Sequence, residues 1–331
     1  MVVTRPAFYK NFKCIADKCT DSCCIGWEII VDRKTCEKYN NMQGEFGEKI
    51  RENLIKDESG ATCFKLDENE RCPFLNKNNL CDIIINCGED VLCGICTEHP
   101  RFYNEFSESI ECGLGLCCEE VCRLLLETDE PLDYITEIVS EDEFSMDFYL
   151  DENVHVDYIA IYNLRAKMFE ILNSNMVFDD KINALKEIVE EKINEEIVLD
   201  SDGAILARYE ETEPINKEWT EYFYSLKDNI CEYLDKEKPF DETTNGNKIY
   251  SKILSYIIFR HLSSSVYGDK AGFAEYFNFC ISAVRFIKLC DIKTYCEKNQ
   301  ITLTDRIENV KRWSKQIEYS DLNVDLLTFE N

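Results

Sequence analysis

The sequence FKCIADKCTDSCCIGWEI, at residues 12–29, contains four cysteines and no long apolar run. It opens a region between Cys14 and Cys122 that holds 15 of the 19 cysteines of the chain. Thiols at this density form disulfides, bind a metal ion or hold an iron–sulfur cluster. The segments around them are short and interrupted by Gly, Asn and Asp, which is typical of loops. The stretch therefore predicts a cysteine-rich, loop-rich N-terminal part with short strands.

Disulfides are the least favoured of these three states. The N-terminal sequence MVVTRPAFYKNFKC lacks the apolar core of a secretory signal, and no apolar run is long enough to span a bilayer. We therefore expect a cytoplasmic protein without a membrane partner. Structural disulfides are rare in that reducing compartment.

Zinc and iron–sulfur binding both remain open from the residues alone. The three histidines are too few for a zinc finger with two cysteines and two histidines, but an all-cysteine zinc site is possible. Only Cys93-Gly-Ile-Cys96 has the CxxC form, whereas the other cysteines are scattered and include the adjacent pair Cys23-Cys24. Scattered thiolates favour a cluster whose ligands come from several loops. The CxxxCxxC triad of radical S-adenosylmethionine enzymes is absent.

The charge of the chain limits its partners. The 331 residues include 65 acidic and 37 basic side chains, for a net charge of −28. Such a chain has no surplus of cations to neutralise phosphates, which excludes a nucleic-acid backbone as the main partner. A cationic partner, such as a lysine-bearing protein surface, would be attracted.

The remainder of the chain predicts a mainly α fold. We divide it into a cysteine-rich domain at 1–127, an acidic linker at 128–153 and an all-helical part at 154–331. Predicted helices in the last part cover 155–173, 177–197, 216–235, 246–266, 270–298 and 304–318, with breaks at Gly, Pro and Asn. The stretch NKIYSKILSYIIFRHLSSSVYG, at 247–268, is apolar on most faces and predicts a buried central helix. In the first part, 25–31 predicts a short strand and 33–58 a helix.

Four motifs together carry a resemblance to a known family. They are FKCIADKCTDSCCIGWEI (12–29), RCPFLNKNNLC (71–81), GEDVLCGICTEHPRFYNEF (88–106) and GLGLCCEEVCRLLLE (113–127). In this order they resemble the cysteine-rich core of the flagellin lysine-N-methylase family, part of a wider group with zinc- or iron–sulfur-type cysteine motifs. The resemblance covers about the first 127 residues, and the helical remainder is similar only around YIIFRHL at 256–262.

The resemblance implies an enzyme that transfers methyl groups from S-adenosylmethionine to lysine ε-amines of flagellin, with a [4Fe-4S] cluster linked to the activity. It implies cluster ligands among the matching cysteines, of which we select Cys24, Cys72, Cys81 and Cys96. Further candidates that match the motifs are Cys14, Cys19, Cys23, Cys93, Cys117 and Cys118. Cys36, Cys63, Cys87, Cys112 and Cys122 are interpreted as small buried apolar residues.

The remaining site residues are less specific. Arg101 is the candidate for binding the cofactor or a carboxylate, with a structural ion pair as the alternative. Tyr103, Glu119 and Glu120 are candidate bases, although a solvated surface explains each of them equally well. No glycine-rich fingerprint of a Rossmann methyltransferase is present, so the activity rests on the resemblance. The alternative function is a non-catalytic zinc or iron–sulfur module, such as a metallochaperone or a redox protein.

Overall fold

The computed structural model describes residues 1–106, 109–140, 155–244, 246–267 and 270–329. The chain divides into two compact units. We call the first the helical unit, which contains Met1–Phe12, Tyr103–Cys117 and Val121–Asn331. The second, the cysteine-rich unit, contains Lys13–Phe102 and Cys118–Glu120. No helix in the described part of the chain is long and apolar enough to cross a membrane.

The strands and helices confirm the predicted mainly α class with short strands near the N-terminus. The strands are β1 (Val2–Pro6), β2 (Leu54–Lys56), β3 (Thr62–Phe64), β4 (Arg101–Glu105), β5 (Ser109–Leu114) and β6 (Tyr134–Ile138). The early helices are α1 (Arg33–Asn41), α2 (Glu45–Glu52), α3 (Asp82–Cys87), α4 (Gly94–Glu98) and α5 (Glu119–Leu126). The later helices are α6 (His155–Leu172), α7 (Phe178–Ile193), α8 (Asp202–Glu210), α9 (Lys217–Asp228), α10 (Ile230–Leu234), α11 (Glu237–Thr244), α12 (Gly246–His261), α13 (Lys270–Lys298), α14 (Leu303–Glu318) and α15 (Asp321–Thr328).

A small mixed sheet explains why the observed units differ from the predicted domain ranges. Its strand order is β4-β5-β1-β6, with β1 parallel to β5 and antiparallel to β6. The pairing places residues 1–12 and 103–117 in the helical unit, although both ranges lie inside the predicted domain 1–127. It also makes 134–138 an edge strand within the predicted linker 128–153. Residues 141–153 of that linker lie outside the described residues.

The core of the helical unit is built around α12 and α13. Helix α12 buries residues on most of its faces, including Tyr250, Ile253, Tyr256 and Phe259, which confirms the predicted central helix. A helix that is apolar on all sides must be surrounded by other elements. The predicted helices do not include α8, α11 or α15, and the helix predicted at 216–235 is divided into α9 and α10 at Asn229. Ser201 is the N-cap of α8, because its side-chain oxygen accepts from the Ala204 N–H at 3.3 Å.

The core of the cysteine-rich unit is smaller. Tyr39, Ile50, Phe64 and Phe74 are fully or almost fully buried there, and the rings of Phe64 and Phe74 meet edge to face with centroids 5.0 Å apart. The predicted helix at 33–58 is wrong as a single element. Gly44 has a φ of 85°, a left-handed conformation that separates α1 from α2. The predicted strand at 25–31 is reduced to isolated bridges, Ile25 to Arg71 and Ile30 to Cys63.

Candidate metal centre and site residues

Five candidate cysteines pack against the core of the cysteine-rich unit. Cys72 and Cys93 are buried in it, whereas Cys24, Cys81 and Cys96 are partly buried against it. The four cysteines selected from the resemblance therefore share one neighbourhood, together with Cys93. In the described part of the chain, none of the cysteines is joined in a disulfide.

Short backbone contacts hold the loops that carry these thiols. The Cys72 N–H donates to the Cys24 carbonyl oxygen at 2.9 Å, which joins the first and second motifs. Leu75 forms a bridge with Cys81, which closes the loop between Cys72 and Cys81. Cys81 directly precedes α3, and Cys93 directly precedes α4, which carries Cys96. The contact between Cys24 and Cys72 thus links the first and second motifs, although they are distant in sequence.

Asp32 and Tyr39, at the start and within α1, form hydrogen bonds to the third motif (88–106). Asp32 Oδ1 accepts from the Thr35 N–H at 2.9 Å, and Asp32 Oδ2 accepts from the Gly94 N–H at 2.9 Å. One carboxylate therefore caps α1 and holds the start of α4. The Tyr39 hydroxyl donates to the Val91 carbonyl oxygen at 2.8 Å. Neither residue is among the site residues predicted from the sequence, although an Asp just before a helical segment is an N-cap signal.

Burial and mutual repulsion keep most of these thiols protonated. Burial, together with the charges of Cys81 and Cys93, raises the pKa of Cys72 to about 11. Burial also raises the pKa of Cys81, although the N–H groups of Ile84 and Ile83 oppose it. The hydrogen bond between Cys93 and Cys96 lowers the pKa of Cys93 and raises that of Cys96. The charges of neighbouring cysteines therefore contribute to the raised pKa values of Cys72 and Cys96.

The donor chemistry of this neighbourhood fits a cation bound by sulfur. Buried thiolates that repel one another are stabilised by a bound metal ion, and metal binding displaces their protons. Among the described residues, however, no group of three or more His, Cys, Asp or Glu side chains is placed so that it could hold a metal ion. The residues therefore suit a metal or cluster in chemistry, while their sulfur atoms are not arranged around a common point.

The loop that carries Cys14, Cys19 and Cys23 is held by the candidate base Glu119. Glu119 Oε2 accepts from the Thr20 N–H at 2.8 Å and from the Thr20 hydroxyl, and Cys19 Sγ donates to it at 3.6 Å. Cys14 and Cys23 are exposed. These contacts indicate that Glu119 positions the loop.

Each of the remaining candidate site residues has its own local contacts. Cys117 belongs to the helical unit, where burial raises its pKa to about 11 and Tyr319 offers it a hydrogen bond, whereas Cys118 belongs to the cysteine-rich unit. Arg101 donates to the Thr97 carbonyl oxygen at 3.2 Å, across the end of α4. Tyr103 packs against the small core of the sheet, and Glu120 is buried. Tyr103 belongs to the helical unit, whereas Glu119 and Glu120 belong to the cysteine-rich unit.

Comparison with known proteins identifies relatives of the chain. It is 31% identical over 131 residues to the flagellar biosynthetic protein FliU of Salmonella muenchen, a match that covers 38% of this chain and 78% of FliU. The chain belongs to the flagellin lysine-N-methylase family. It is also 30% identical over 131 residues to the lysine-N-methylases of Salmonella choleraesuis and Salmonella typhimurium. The family predicted from the four motifs is thereby confirmed, and its metal-binding property stays a prediction.

The extent of these matches is partial. They cover 38% of this chain, and the chain spans a third of the length of the two lysine-N-methylases. No family model matches the chain, and no solved structure matches it. The activity of these full-length relatives is therefore only proposed for this protein.

Proposed function

We propose that this protein is a cytoplasmic lysine methyltransferase that transfers the methyl group of S-adenosylmethionine to lysine ε-amines of flagellin. The proposal is supported by the sequence similarity, over 131 residues, to FliU and to proteins named lysine-N-methylase. The net charge of −28 agrees with a substrate that presents lysines, because a strongly acidic surface attracts cationic partners.

The reaction requires a neutral amine. The lone pair of the lysine nitrogen forms the new N–C bond, the S–C bond breaks, and its electron pair stays on sulfur, so the donor leaves as a neutral thioether. The proton of the amine must pass to a base or to water. Among the candidate bases, Glu119 already accepts three hydrogen bonds from Cys19 and Thr20, which favours a positioning role. Tyr103 and Glu120 remain candidates for the base, and Arg101 remains the candidate for cofactor binding.

We further propose that Cys24, Cys72, Cys81 and Cys96 hold a [4Fe-4S] cluster, with Cys93 as the nearest substitute ligand. Cys72 is part of the core that contains Tyr39, Phe64 and Phe74, and Cys24, Cys81 and Cys96 pack against it. A bound cluster would supply bonds between loops that have little core of their own. In this proposal the cluster supports the fold of the cysteine-rich unit.

The experiment combines metal content with methyl transfer. The full chain is purified without oxygen, its iron, zinc and acid-labile sulfide are measured, and it is incubated with flagellin and S-adenosylmethionine that carries a labelled methyl group. We expect about four irons and four sulfides per chain, and label on flagellin lysines. Absence of label, together with unchanged lysine methylation in a strain that lacks only this gene, would refute the methyltransferase.

A non-catalytic metal-binding module is the second candidate function. It is favoured by the restriction of the matches to 38% of the chain, and by the name of FliU, which states a role in flagellar biosynthesis without an activity. This candidate predicts zinc without sulfide, no binding of S-adenosylmethionine and no label on flagellin. The same measurements therefore separate the two functions.

A further inference from the structure

A cleft in the helical unit lies beside the sheet and has no role in the site described above. Its volume is about 340 Å³, and β1, β6, α6 and α12 contribute its walls. This volume is within the range of pockets that bind small organic molecules. All of its lining residues belong to the helical unit.

One wall of the cleft is aromatic and rigid. The Tyr134 ring stacks on Phe169 with centroids 4.4 Å apart and on Phe259 with centroids 4.6 Å apart. The Tyr134 hydroxyl donates to the Ser255 carbonyl oxygen at 2.9 Å, which fixes the ring at its far end. The Arg165 guanidinium already lies over the rings of Phe169 and Phe259, 6.0 and 5.7 Å from their centroids. The stacked rings therefore offer a ligand apolar surface for an aromatic ring.

The charges around the cleft favour a cationic ligand. The exposed residues Asp133 and Glu170 contribute carboxylates to its lining. The lining also includes Arg165, but this guanidinium is 1% exposed and forms a two-armed ion pair with Glu111, with 2.9 Å between Arg165 Nη1 and Glu111 Oε2. The ion pair cancels the charge of Arg165 locally, so the uncompensated charge of the lining is negative.

Hydroxyl groups also line the cleft. The Thr4 and Thr136 hydroxyl oxygens lie 2.9 Å apart, and the Thr136 hydroxyl lies 3.4 Å from that of Tyr162. A ligand with ribose hydroxyls or an amino-acid group would find donors and acceptors along this row. The cleft thus combines aromatic rings, carboxylates and hydroxyls, which suits a polar organic cation with an aromatic ring.

We propose that this cleft binds S-adenosylmethionine, with its sulfonium and ammonium facing Asp133 and Glu170 and its adenine against the aromatic wall. The inference rests on the proposed methyltransferase function, which supplies this cation. A lysine side chain has the same charge, but it lacks an aromatic ring and would fill only part of the volume. The location would also explain why no Rossmann fingerprint is needed in the sequence.

Binding of S-adenosylmethionine to the anaerobically purified full chain, measured by calorimetry, tests the cleft. We expect the double variant Asp133→Asn/Glu170→Gln to raise Kd about tenfold, since each carboxylate contributes about threefold at an exposed site. The matched control is Glu187→Gln/Glu191→Gln, which changes the net charge equally at two exposed residues of α7 outside the cleft. The control should leave Kd unchanged.

A steric variant and a neutral ligand sharpen the test. Ala166 is exposed and lines the cleft, so Ala166→Trp should fill it and raise Kd more than about tenfold without disturbing the core. Thermal unfolding checks that the variant is folded. S-adenosylhomocysteine lacks the sulfonium charge, so it should bind about threefold more weakly than S-adenosylmethionine to the wild type. This preference should disappear in the double variant.

The outcomes separate the cleft from the function. Wild-type binding that all cleft variants retain would overturn the cleft proposal and leave the methyltransferase intact. Cleft variants that keep S-adenosylmethionine but lose binding of a lysine-containing flagellin peptide would also overturn it, because the cleft would then be the lysine site. Wild-type protein that neither binds S-adenosylmethionine nor labels flagellin would overturn both proposals.

Discussion

The helical unit and the cysteine-rich unit are stabilised by different interactions. The helical unit buries long apolar helices such as α12 and satisfies its buried charges internally, as in the pair of Arg306 and Asp291. The cysteine-rich unit has short helices and strands, and two candidate ligands, Cys72 and Cys93, are part of its core. A small core of this kind gains stability when its sulfurs bind a metal. Loss of the proposed cluster should therefore affect the cysteine-rich unit far more than the helical unit.

The largest expected effect is the loss of a proposed ligand. Cys72→Ser should reduce bound iron and sulfide to background and destabilise the cysteine-rich unit by several kcal/mol, because metal-binding free energy there contributes to folding. Iron analysis and proteolysis of the intact chain would measure both effects. Cys36→Ser is the matched control, since Cys36 packs against the same core and donates to the Val31 carbonyl oxygen, which Ser can also do. Equal loss of iron in both variants would refute the selection of ligands.

The second-largest expected effect is the removal of a buried charge in the helical unit. Asp291 accepts from Arg306, Tyr250 and Asn309 at 2.8–2.9 Å, and both members of the ion pair are almost fully buried. Asp291→Asn should lower the free energy of unfolding by about 3–5 kcal/mol, because Arg306 would keep a buried charge without a counter-ion. Urea unfolding measures the loss. Iron content should not change, because Asp291 lies in the helical unit and the proposed cluster ligands lie in the cysteine-rich unit. A parallel loss of iron would contradict this expectation.

Acid should weaken the helical unit through Glu237. Burial opposes the ionised form, but hydrogen bonds from Arg285 and Lys288 lower the pKa of Glu237 from 4.5 to about 2. A lowered pKa in the folded state stabilises the protein above pH 4.5, and this contribution of about 3 kcal/mol is lost as the pH falls toward 2. Glu237→Gln should therefore be less stable at pH 7 and show a smaller decline between pH 5 and 2.

Urea unfolding at several pH values, followed by circular dichroism, measures this decline. Glu242→Gln is the control, because Glu242 is exposed on the same helix. An equal decline for the wild type and for Glu237→Gln would show that other carboxylates dominate the acid response.

The smallest expected losses of stability come from removing one helix cap in each unit. Asp32→Ala should cost about 1–2 kcal/mol and also weaken iron retention, because Asp32 caps α1 and holds Gly94 next to Cys93. Thr302→Ala removes the capping box of α14 and should cost about 1 kcal/mol without a change in iron. Unfolding and iron release, measured on both variants, test this asymmetry. It would fail if Thr302→Ala released iron as readily as Asp32→Ala.

Prediction from sequence succeeded where the pattern was local. The apolar composition of 247–268 predicted the central helix α12, and the predicted ranges agree with the observed bounds of α6, α13 and α14 to within one residue. It was less successful where distant segments meet. The helix predicted at 33–58 is divided at Gly44, and 54–56 pairs with 62–64 as a hairpin. The apolar period of that segment did not distinguish a helix from a helix followed by a strand.

The residues of the candidate site were likewise predicted only in part. The four motifs predicted which cysteines belong to the family, and the structure places Cys24, Cys72, Cys81 and Cys96 around one core. The motifs could not assign roles to Asp32 or Glu119, because their hydrogen-bond partners Gly94 and Thr20 are distant in sequence. The aromatic cleft had no sequence signal, because Tyr134, Phe169 and Phe259 come from three separate segments.

The sequence by itself determined the density of thiols, the acidic charge, the family motifs and the mainly α class, since composition and short-range periodicity carry all of these. Only the tertiary structure decided that the first twelve residues join the helical unit, through pairing of β1 with β5 and β6. It also decided that three distant aromatic rings form one wall of a cleft. The physical reason is that strand pairing and ring stacking depend on which segments meet in space.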